Sequence, residues 1–308
     1  MLDRSEELPG GVLARVNRAI DLVVDHLDEP LPLERVAAAA CCSPFHFHRL
    51  FRRATGETLA AFVGRLRLER ALRRLAHGPE GTLTEIAFAC GFNSASDFSR
   101  RFRARYGVAP SAFDLDAFRR ERRGELEALF EDEALRARIA KPAADAHPNP
   151  DGFEVRITDL PPRSVAYVRV QQPFRAGVTR AAAERLVAWA EARDCADGCW
   201  LGYMWEDPET VPLDQCRYDV AVVLGDPSLR ADGEVGRYEF PAMRVAEIDV
   251  AGPIDLEQRA LDHLFGPWLE EAGMLPAALP CFEAWRGRPW AHGDEWFELT
   301  VQLPVEPV

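Results

Sequence analysis

The alternation of apolar and polar residues follows the same course twice in the first third of the chain. Residues 31–56 and residues 82–107 each hold a short amphipathic stretch, a turn, and a second amphipathic stretch that begins at Ser43 or Ser94. Serine is a favoured N-cap residue, and Pro44 suits the first position of a helix. Each copy is therefore predicted to be a helix-turn-helix unit.

The second helix of each unit has one apolar side and one polar, basic side. Apolar residues such as Phe47, Phe51, Phe98 and Phe102 recur at the spacing of a core-facing stripe. The opposite side carries groups suited to base edges, since Arg pairs with guanine through two hydrogen bonds. Two ordinary helices with solvated faces are the alternative, but the duplication and a predicted joining helix over 59–76 favour double-stranded DNA as a partner. The predicted DNA-binding residues are Phe45, His48, Arg49, Arg52, Ser96, Asp97, Arg100 and Arg103.

A second, weaker repeat runs through the other half of the chain. The segments that begin at residues 164 and 201 each resemble a segment that begins 80 positions later. The segment that begins at residue 217 resembles one that begins 79 positions later. Each set is predicted to form a module of one alternating strand, a helix and two further strands. One additional strand before residue 161 and another at 234–240 start the two modules. Two tandem β-α-β-β modules are predicted to form one antiparallel sheet with both helices on one face. The other face, or the groove along the pseudo-twofold axis, is left for a ligand.

The repeat also predicts a ligand site. At an offset of 80, Glu283 superposes on Tyr203 and Trp285 superposes on Trp205. A carboxylate among aromatic rings is either exposed or, if it is buried, requires a cation or a hydrogen-bond donor. A lipophilic cation would supply that charge, and the rings would add cation–π attraction. We therefore predict ligand binding by Glu283, Tyr203, Trp205 and Trp285.

The charge distribution separates the two halves of the chain. The net charge is −13, yet residues 43–105 hold 12 Arg against 5 acidic residues. A basic region within an acidic protein is the electrostatic signature of nucleic-acid binding. The acidic half is expected to lie away from the DNA.

Several classes of protein are not indicated by the sequence. It shows no signal-peptide core and no apolar run long enough to span a membrane, so we expect a cytoplasmic protein without membrane contact. The seven cysteines fit no common zinc spacing, and no nucleophile–base triad is recognisable. We therefore expect no metal, no cofactor and no catalytic residues.

Three segments follow from these patterns in a multidomain chain. The prolines of residues 141–150 indicate a boundary. We predict an all-α DNA-binding domain over 1–118, a helical connector with a proline-rich linker over 119–150, and an α+β domain over 151–308. Charges of alternating sign along the connector predict a solvated helix.

The first domain resembles the AraC/XylS family of bacterial transcription regulators over about residues 11–113. The sequence IAFACGFNSASDFSRRFRARYGVAPSAF, which begins at Ile86, carries the resemblance most specifically. The family implies two helix-turn-helix units on one rigid helix, with recognition helices in successive major grooves and base contacts near Arg49 and Arg100. Cys41 stands where the family usually has glycine, so we expect a different first turn that avoids a positive φ.

The second domain resembles the GyrI-like effector-binding domains of multidrug-responsive regulators over about residues 153–305. The motifs are LGYMWEDPETVP, CRYDVAVVL, AGPIDLEQRALDHLFGPWLEEAGM and CFEAW. In that family the acidic residue at the position of Glu283 lies in the ligand cleft. One branch uses a comparable Tyr and Glu to hydrolyse strained small molecules.

Three hypotheses follow. The leading one is a transcription regulator, not an enzyme, that is controlled by a small hydrophobic effector, with cations as the favoured class and RNA polymerase as a candidate partner. The second is hydrolysis of the ligand, with Glu283 activating water and Tyr203 as the proton donor or a hydrogen-bond partner. The third is a C-terminal domain that binds a partner protein. The operator, the effector, activation or repression, and the oligomeric state are not determined by the sequence.

Overall fold

The computed structural model describes residues 10–77, 81–129, 149–293 and 295–307, and the chain divides into two compact units with the main break after Leu115. The first unit is all-helical. Its helices are α1 (Gly10–Asp25), α2 (Leu33–Ala39), α3 (Pro44–Thr55), α4 (Leu59–His77), α5 (Leu83–Ala89) and α6 (Ala95–Tyr106).

The predicted caps begin both second helices. The side chain of Ser43 accepts a hydrogen bond from the backbone N–H of His46, and that of Ser94 accepts one from Asp97. Because each cap satisfies a backbone donor that the helix cannot, the boundaries follow from local sequence. The two helix-turn-helix units and the joining helix are therefore confirmed.

Aromatic residues form the core of each unit. Phe47 and Phe51 of α3 are fully buried and pack with Phe62 of α4. In the second unit Phe98 and Phe102 are equally buried, and a chain of ring contacts continues to Tyr106 and Phe113. Both apolar stripes therefore face inward, which turns the predicted DNA-binding sides of α3 and α6 toward solvent.

The two turns have the same geometry, and our prediction for Cys41 was wrong. Cys41 has a φ of 51° and Gly91 has a φ of 83°. Cys41 N–H donates to Ala38 at 2.9 Å, just as Gly91 N–H donates to Phe88 at 2.9 Å. Cysteine therefore accepts the left-handed conformation, at a cost of about 1–2 kcal/mol. Packing of the helices on either side fixes the turn more strongly than the preference of one residue does.

Gly91 cannot be replaced as Cys41 replaces glycine. A Cβ atom at Gly91 would lie 2.6 Å from the carbonyl oxygen of Leu27 and 2.9 Å from Nε of Arg67. That Nε atom itself donates to the Leu27 carbonyl at 2.8 Å. The turn of the second unit therefore packs against both Arg67 of α4 and the backbone of Leu27, which follows α1. These contacts hold the second helix-turn-helix unit at a fixed position.

The connector was predicted to be a solvated helix, and for its described part this is wrong. Helix α7 (Leu115–Glu127) belongs almost entirely to the second unit, and Arg123 is only 4% exposed. Its guanidinium donates to both oxygens of Asp262, at 3.0 and 2.8 Å, and to Glu209 at 3.0 Å. The alternating charges therefore partly form buried ion pairs. The linker from residue 130 to residue 148 lies outside the described residues.

The second unit is an antiparallel sheet with two main helices. Its strands stand in the order β1-β6-β9-β8-β3-β4-β2-β5, and β7 pairs with β9. The strands are β1 (Arg156–Leu160), β2 (Arg163–Gln171), β3 (Trp200–Met204), β4 (Arg217–Val223), β5 (Gly236–Phe240), β6 (Met243–Gly252), β7 (Met274–Pro276), β8 (Cys281–Trp285) and β9 (Phe297–Pro307). The helices are α8 (Val178–Glu191), α9 (Ile254–His263) and the short α10 (Leu269–Ala272).

The strand order is symmetric about the boundary between β3 and β8. The two β-α-β-β modules, β2-α8-β3-β4 and β6-α9-β8-β9, lie on either side of that boundary, as predicted. The starting strands are exchanged, because β1 pairs with β6 of the second module and β5 lies beside β2 of the first. This exchange links the modules into one continuous sheet.

The face of the sheet that carries Tyr203 and Phe282, here the inner face, is closed. Both side chains are fully buried and pack against Phe240 at the edge of the sheet. Val165 of β2 and Val245 of β6 join the same cluster although they belong to opposite halves of the sheet. The sheet is therefore curved around an aromatic core, and the predicted alternative of a ligand on the face opposite the helices is wrong.

Candidate functional site

The outward side of α3 exposes an unusual combination of residues. The Phe45 side chain is 76% exposed, and His48, Arg49 and Arg52 are exposed beside it. Exposure of a phenylalanine ring to water is energetically unfavourable, whereas a thymine methyl group can make an apolar contact with such a ring. This side therefore exposes an apolar ring and guanidinium groups next to each other.

The outward side of α6 carries a network of ion pairs. Ser96, Arg100 and Arg103 are exposed, but Asp97 is half-buried because two guanidinium groups surround it. Nη2 of Arg100 donates to Asp97 at 2.5 Å, and Nε of Arg101 donates to both carboxylate oxygens at 3.0 Å. Asp97 therefore orients Arg100 and Arg101.

A groove runs along the outer face of the sheet, which is the face that carries Gly202 and Glu283. Helix α8 packs on β2 and β4, and helix α9 packs on β6 and β9. The indole N–H of Trp200, on the outer face, donates to Ala196 just after α8, which places that helix on this face. The central strands β3 and β8 thus form the floor between the two helices. We refer to this floor and its walls as the groove.

Glu283 lies at the centre of the groove floor. Gly202 is its partner across the strands, and the hydroxyl of Tyr218 donates to Glu283 Oε2 at 2.5 Å. A Cβ atom at residue 202 would lie 1.7 Å from that hydroxyl oxygen and 2.7 Å from Glu283 Oε2. Only glycine leaves room for the hydrogen bond, and this explains a glycine in the middle of a buried strand.

The groove changes the acidity of its carboxyl groups. Burial raises the pKa of Glu283 to about 7, although hydrogen bonds from Tyr218 and Trp285 act in the opposite direction. Glu257 of α9 is 5% exposed, and burial followed by the charge of Glu283 raises its pKa well above the usual range. Burial and Glu283 likewise raise the pKa of Tyr218, which stays a hydroxyl donor. The groove therefore changes its charge near neutral pH.

Aromatic rings border Glu283 on one side. The Trp285 ring lies 5.1 Å from that of Trp290 and 5.9 Å from that of Phe297, measured between centroids. All three side chains keep partial exposure. The groove thus combines an ionisable carboxyl group with apolar faces, which are the two elements that recognise lipophilic cations.

Comparison with known families matches both units. Residues 36–115 match the helix-turn-helix domain family, and residues 153–306 match the GyrI-like small molecule binding domain. The HTH-type transcriptional activator RhaS of Escherichia fergusonii is 36% identical over 97 residues. The chain belongs to the AraC-type regulators with a GyrI-like small molecule binding domain.

The relatives of this AraC-type regulator match one domain each. The RhaS match covers 32% of this chain and 34% of that protein, so the chain spans about a third of it. A DNA gyrase inhibitor of Edwardsiella ictaluri is 31% identical over 161 residues, which cover 49% of this chain and 98% of that protein. The solved DNA-binding domain of AdpA in complex with a target DNA is 30% identical, with a TM-score of 0.30, and the match covers 32% of this chain and 87% of that one.

Two of the four predicted effector residues of the regulator lie outside the groove. Tyr203 pairs with Phe282, whereas Glu283 pairs with Gly202, so Tyr203 and Glu283 lie on opposite faces. The Trp205 indole packs on Tyr203 and Phe240 and donates to Asp219, away from the groove. An offset of 80 is wrong for β3 and β8, because a shift of one residue reverses the face of every side chain. Only an odd offset keeps the faces of β3 and β8 in agreement; an offset of 81, for example, superposes Gly202 on Glu283.

Three groove residues of the regulator were missed. Gly202 has a detectable signal, since a glycine within an apolar strand often marks the close approach of another group. Glu257 shares the spacing of Ala260 and Leu264 along α9, so the sequence places it on a buried side. Tyr218 has no comparable signal, because its role depends on β4 pairing with β3.

Two kinds of feature are absent from the described residues. No helix in this part of the regulator is long and apolar enough to cross a membrane. Within the same residues, no group of three or more His, Cys, Asp or Glu side chains could hold a metal ion.

Proposed function

We propose that this regulator binds successive major grooves of DNA through α3 and α6, and that a hydrophobic cation in the groove controls its effect on transcription. One observation carries the effector proposal: Glu283 has an aromatic wall and no cationic partner among the described residues. We place the protein in the cytoplasm, with RNA polymerase as the partner. Transcription with purified polymerase, with and without effector, tests that partner directly.

The length of the joining helix supports the DNA proposal. Helix α4 joins the units with 19 residues, or about 28 Å of helix. Arg67 of α4 donates to the carbonyl oxygens of Leu27 and Glu29, which fixes α4 against the first unit. A rigid joining helix of this length is compatible with recognition helices in grooves one turn apart, roughly 34 Å.

Replacing Arg49 or Arg100 with alanine should weaken specific DNA binding by about 1–3 kcal/mol. Both guanidinium groups are exposed, and if each pairs with one guanine, sequence selectivity should relax at that position only. A site is first selected from random DNA with the wild-type protein. Fluorescence anisotropy on that site and on its single-base variants then measures the loss.

The matched control is Arg120→Ala, an exposed arginine on α7. It removes the same charge outside the recognition helices and should change affinity little. A loss of equal size on every DNA sequence would show that Arg49 and Arg100 contact phosphates instead of bases.

Replacing Glu283 with glutamine should weaken binding of tetraphenylphosphonium at least about tenfold, or 1.4 kcal/mol. Affinity for the neutral triphenylphosphine oxide should change less than about twofold, since an amide keeps the shape and loses only the charge. In the wild type, cation affinity should rise as pH increases through about 7, where Glu283 loses its proton. Isothermal titration calorimetry between pH 6 and pH 8 measures both effects.

The control is Glu184→Gln, a carboxylate on α8 that is 69% exposed. It should bind both compounds as the wild type does. An equal loss for the cation and the neutral compound, or a flat pH profile in the wild type, would remove Glu283 from cation recognition.

The similarity to a DNA gyrase inhibitor favours one further function for the second domain. That relative matches 49% of this chain over 98% of its own length, so binding of gyrase by this domain is a second candidate function. Inhibition of DNA supercoiling by the full chain would support it. Hydrolysis is not proposed, because the predicted proton donor Tyr203 is on the inner face.

A further inference from the structure

Glu257 lies on the sheet-facing side of α9. Glu257, Ala260 and Leu264 follow the spacing i, i+3, i+7, and all three are buried. Ala260 and Leu264 pack with Ile248 and Val301 on the outer face of the sheet. Since Val301 is the cross-strand neighbour of Glu283, the Glu257 carboxyl faces the groove floor from the helix side.

Three ionisable side chains interact electrostatically with Glu257. After burial, the charge of Glu283 raises the pKa of Glu257, and the charge of Glu257 adds to the raised pKa of Cys281 of β8 and of Tyr218 of β4. Burial keeps the pKa of the Tyr218 hydroxyl and of the Cys281 thiol above their usual range, so neither titrates near neutral pH.

Apart from Glu283, every other buried carboxylate among the described residues of this domain is paired with an arginine. Asp219 is paired with Arg169, Glu206 with Arg217, Glu209 with Arg123, Glu247 with Arg156 and Asp255 with Arg259. Within the same part of the chain, no arginine and no hydrogen-bond donor meets Glu257. An unpaired buried carboxyl group lowers the stability of the folded protein. The presence of Glu257 at this position therefore points to a binding partner outside this chain.

We propose that Glu257 is a second cation-binding group of the groove and that the preferred effector is a short aromatic dication. One ammonium or amidinium group lies opposite each carboxylate, and the ring stacks on Trp285 or Trp290. The inference rests on the proposed function, because it extends the same site. Two neighbouring carboxylates ionise together only when two positive charges neutralise them. A monocation leaves one of the two protonated, whereas a dication displaces both protons.

Two amines with the same ring test this directly: 4-methylbenzylammonium, with one charge, and p-xylylenediammonium, with two. Full-length wild type should bind the diamine at least about tenfold more tightly than the monoamine. In Glu257→Gln this advantage should disappear, while affinity for the monoamine should change less than about twofold. Calorimetry in buffers of different ionisation enthalpy should detect one further proton released by the diamine, in the wild type only.

Glutamine has the shape of the protonated acid, so Glu257→Gln should fold normally. Glu270→Gln, on the exposed side of α10, is the matched control and should behave as the wild type. If Glu257→Gln keeps the preference for the diamine, or if both amines release the same number of protons, this inference is wrong while the proposed function stands. If the wild type binds neither these amines nor tetraphenylphosphonium, the proposed function fails and this inference fails with it.

Discussion

Replacing Gly202 with alanine should destabilise the second domain and abolish effector binding. The new methyl carbon would lie 1.7 Å from the Tyr218 hydroxyl oxygen and 2.7 Å from Glu283 Oε2, so both side chains must move. Overpacking of this kind costs about 1–3 kcal/mol. The loss of the hydrogen bond from Tyr218 to Glu283 adds about 1–3 kcal/mol.

Tryptophan fluorescence during urea unfolding measures this loss. All seven tryptophans lie between Trp189 and Trp296, so their emission reports on the second domain within the full-length chain. The control is Gly225→Ala, because a Cβ atom there meets nothing within 4 Å. The double variant Gly202→Ala, Tyr218→Phe removes the hydroxyl oxygen with which the new methyl group clashes. It should regain part of the unfolding free energy that Gly202→Ala loses.

An unchanged unfolding midpoint in Gly202→Ala would contradict the geometry of the groove floor. A double variant no more stable than Gly202→Ala would show that the methyl group conflicts with something other than the Tyr218 hydroxyl. Tetraphenylphosphonium binding by each folded variant then reports separately on the effector site.

Replacing Arg123 with alanine should cost about 3–5 kcal/mol of unfolding free energy in the second domain. The guanidinium is 4% exposed and is shared by Asp262 of α9 and Glu209. Without it, two largely buried carboxylates lose most of their counter-charge, although Arg119 still pairs with Glu209 at 2.9 Å. The same urea experiment with tryptophan fluorescence measures the loss.

The control on the same helix is Arg120→Ala, which removes an exposed guanidinium and should cost less than about 0.5 kcal/mol. The variant Arg123→Met, Asp262→Leu replaces the ion pair with apolar side chains and should regain much of the stability, because its largest desolvation cost disappears. A loss in Arg123→Ala no larger than in Arg120→Ala would show that α7 is not anchored through Arg123.

The helix-turn-helix units were predictable because their signals are local. Ser43 and Ser94 cap the helices that follow them, and the spacing of Phe47 and Phe51 defines the buried side of α3. Once the buried side is known, the exposed side that carries Arg49 is determined as well. The Cys41 turn was not predictable in the same way, since packing of α2 and α3 overrides the residue's own preference for negative φ.

The groove was predictable only in part. The sequence repeat led to Glu283 and Trp285, which the structure brings to the groove. The same repeat led to Tyr203, which lies on the inner face, because similarity between segments tolerates a shift of one residue and strand faces do not. The offset of 80 holds between β2 and β6, but not between β3 and β8.

The sequence by itself determined the elements of this protein: the capped helices, the alternating strands, the duplication and the separation of charge between the halves. These depend on neighbours along the chain, where spacing and side-chain chemistry decide the outcome. Only the tertiary structure decided which carboxylates share a site. Strand register brings Tyr218 to Glu283, and the packing of α9 brings Glu257 to both. Those contacts join residues that are distant in the chain, and local pattern carries no information about them.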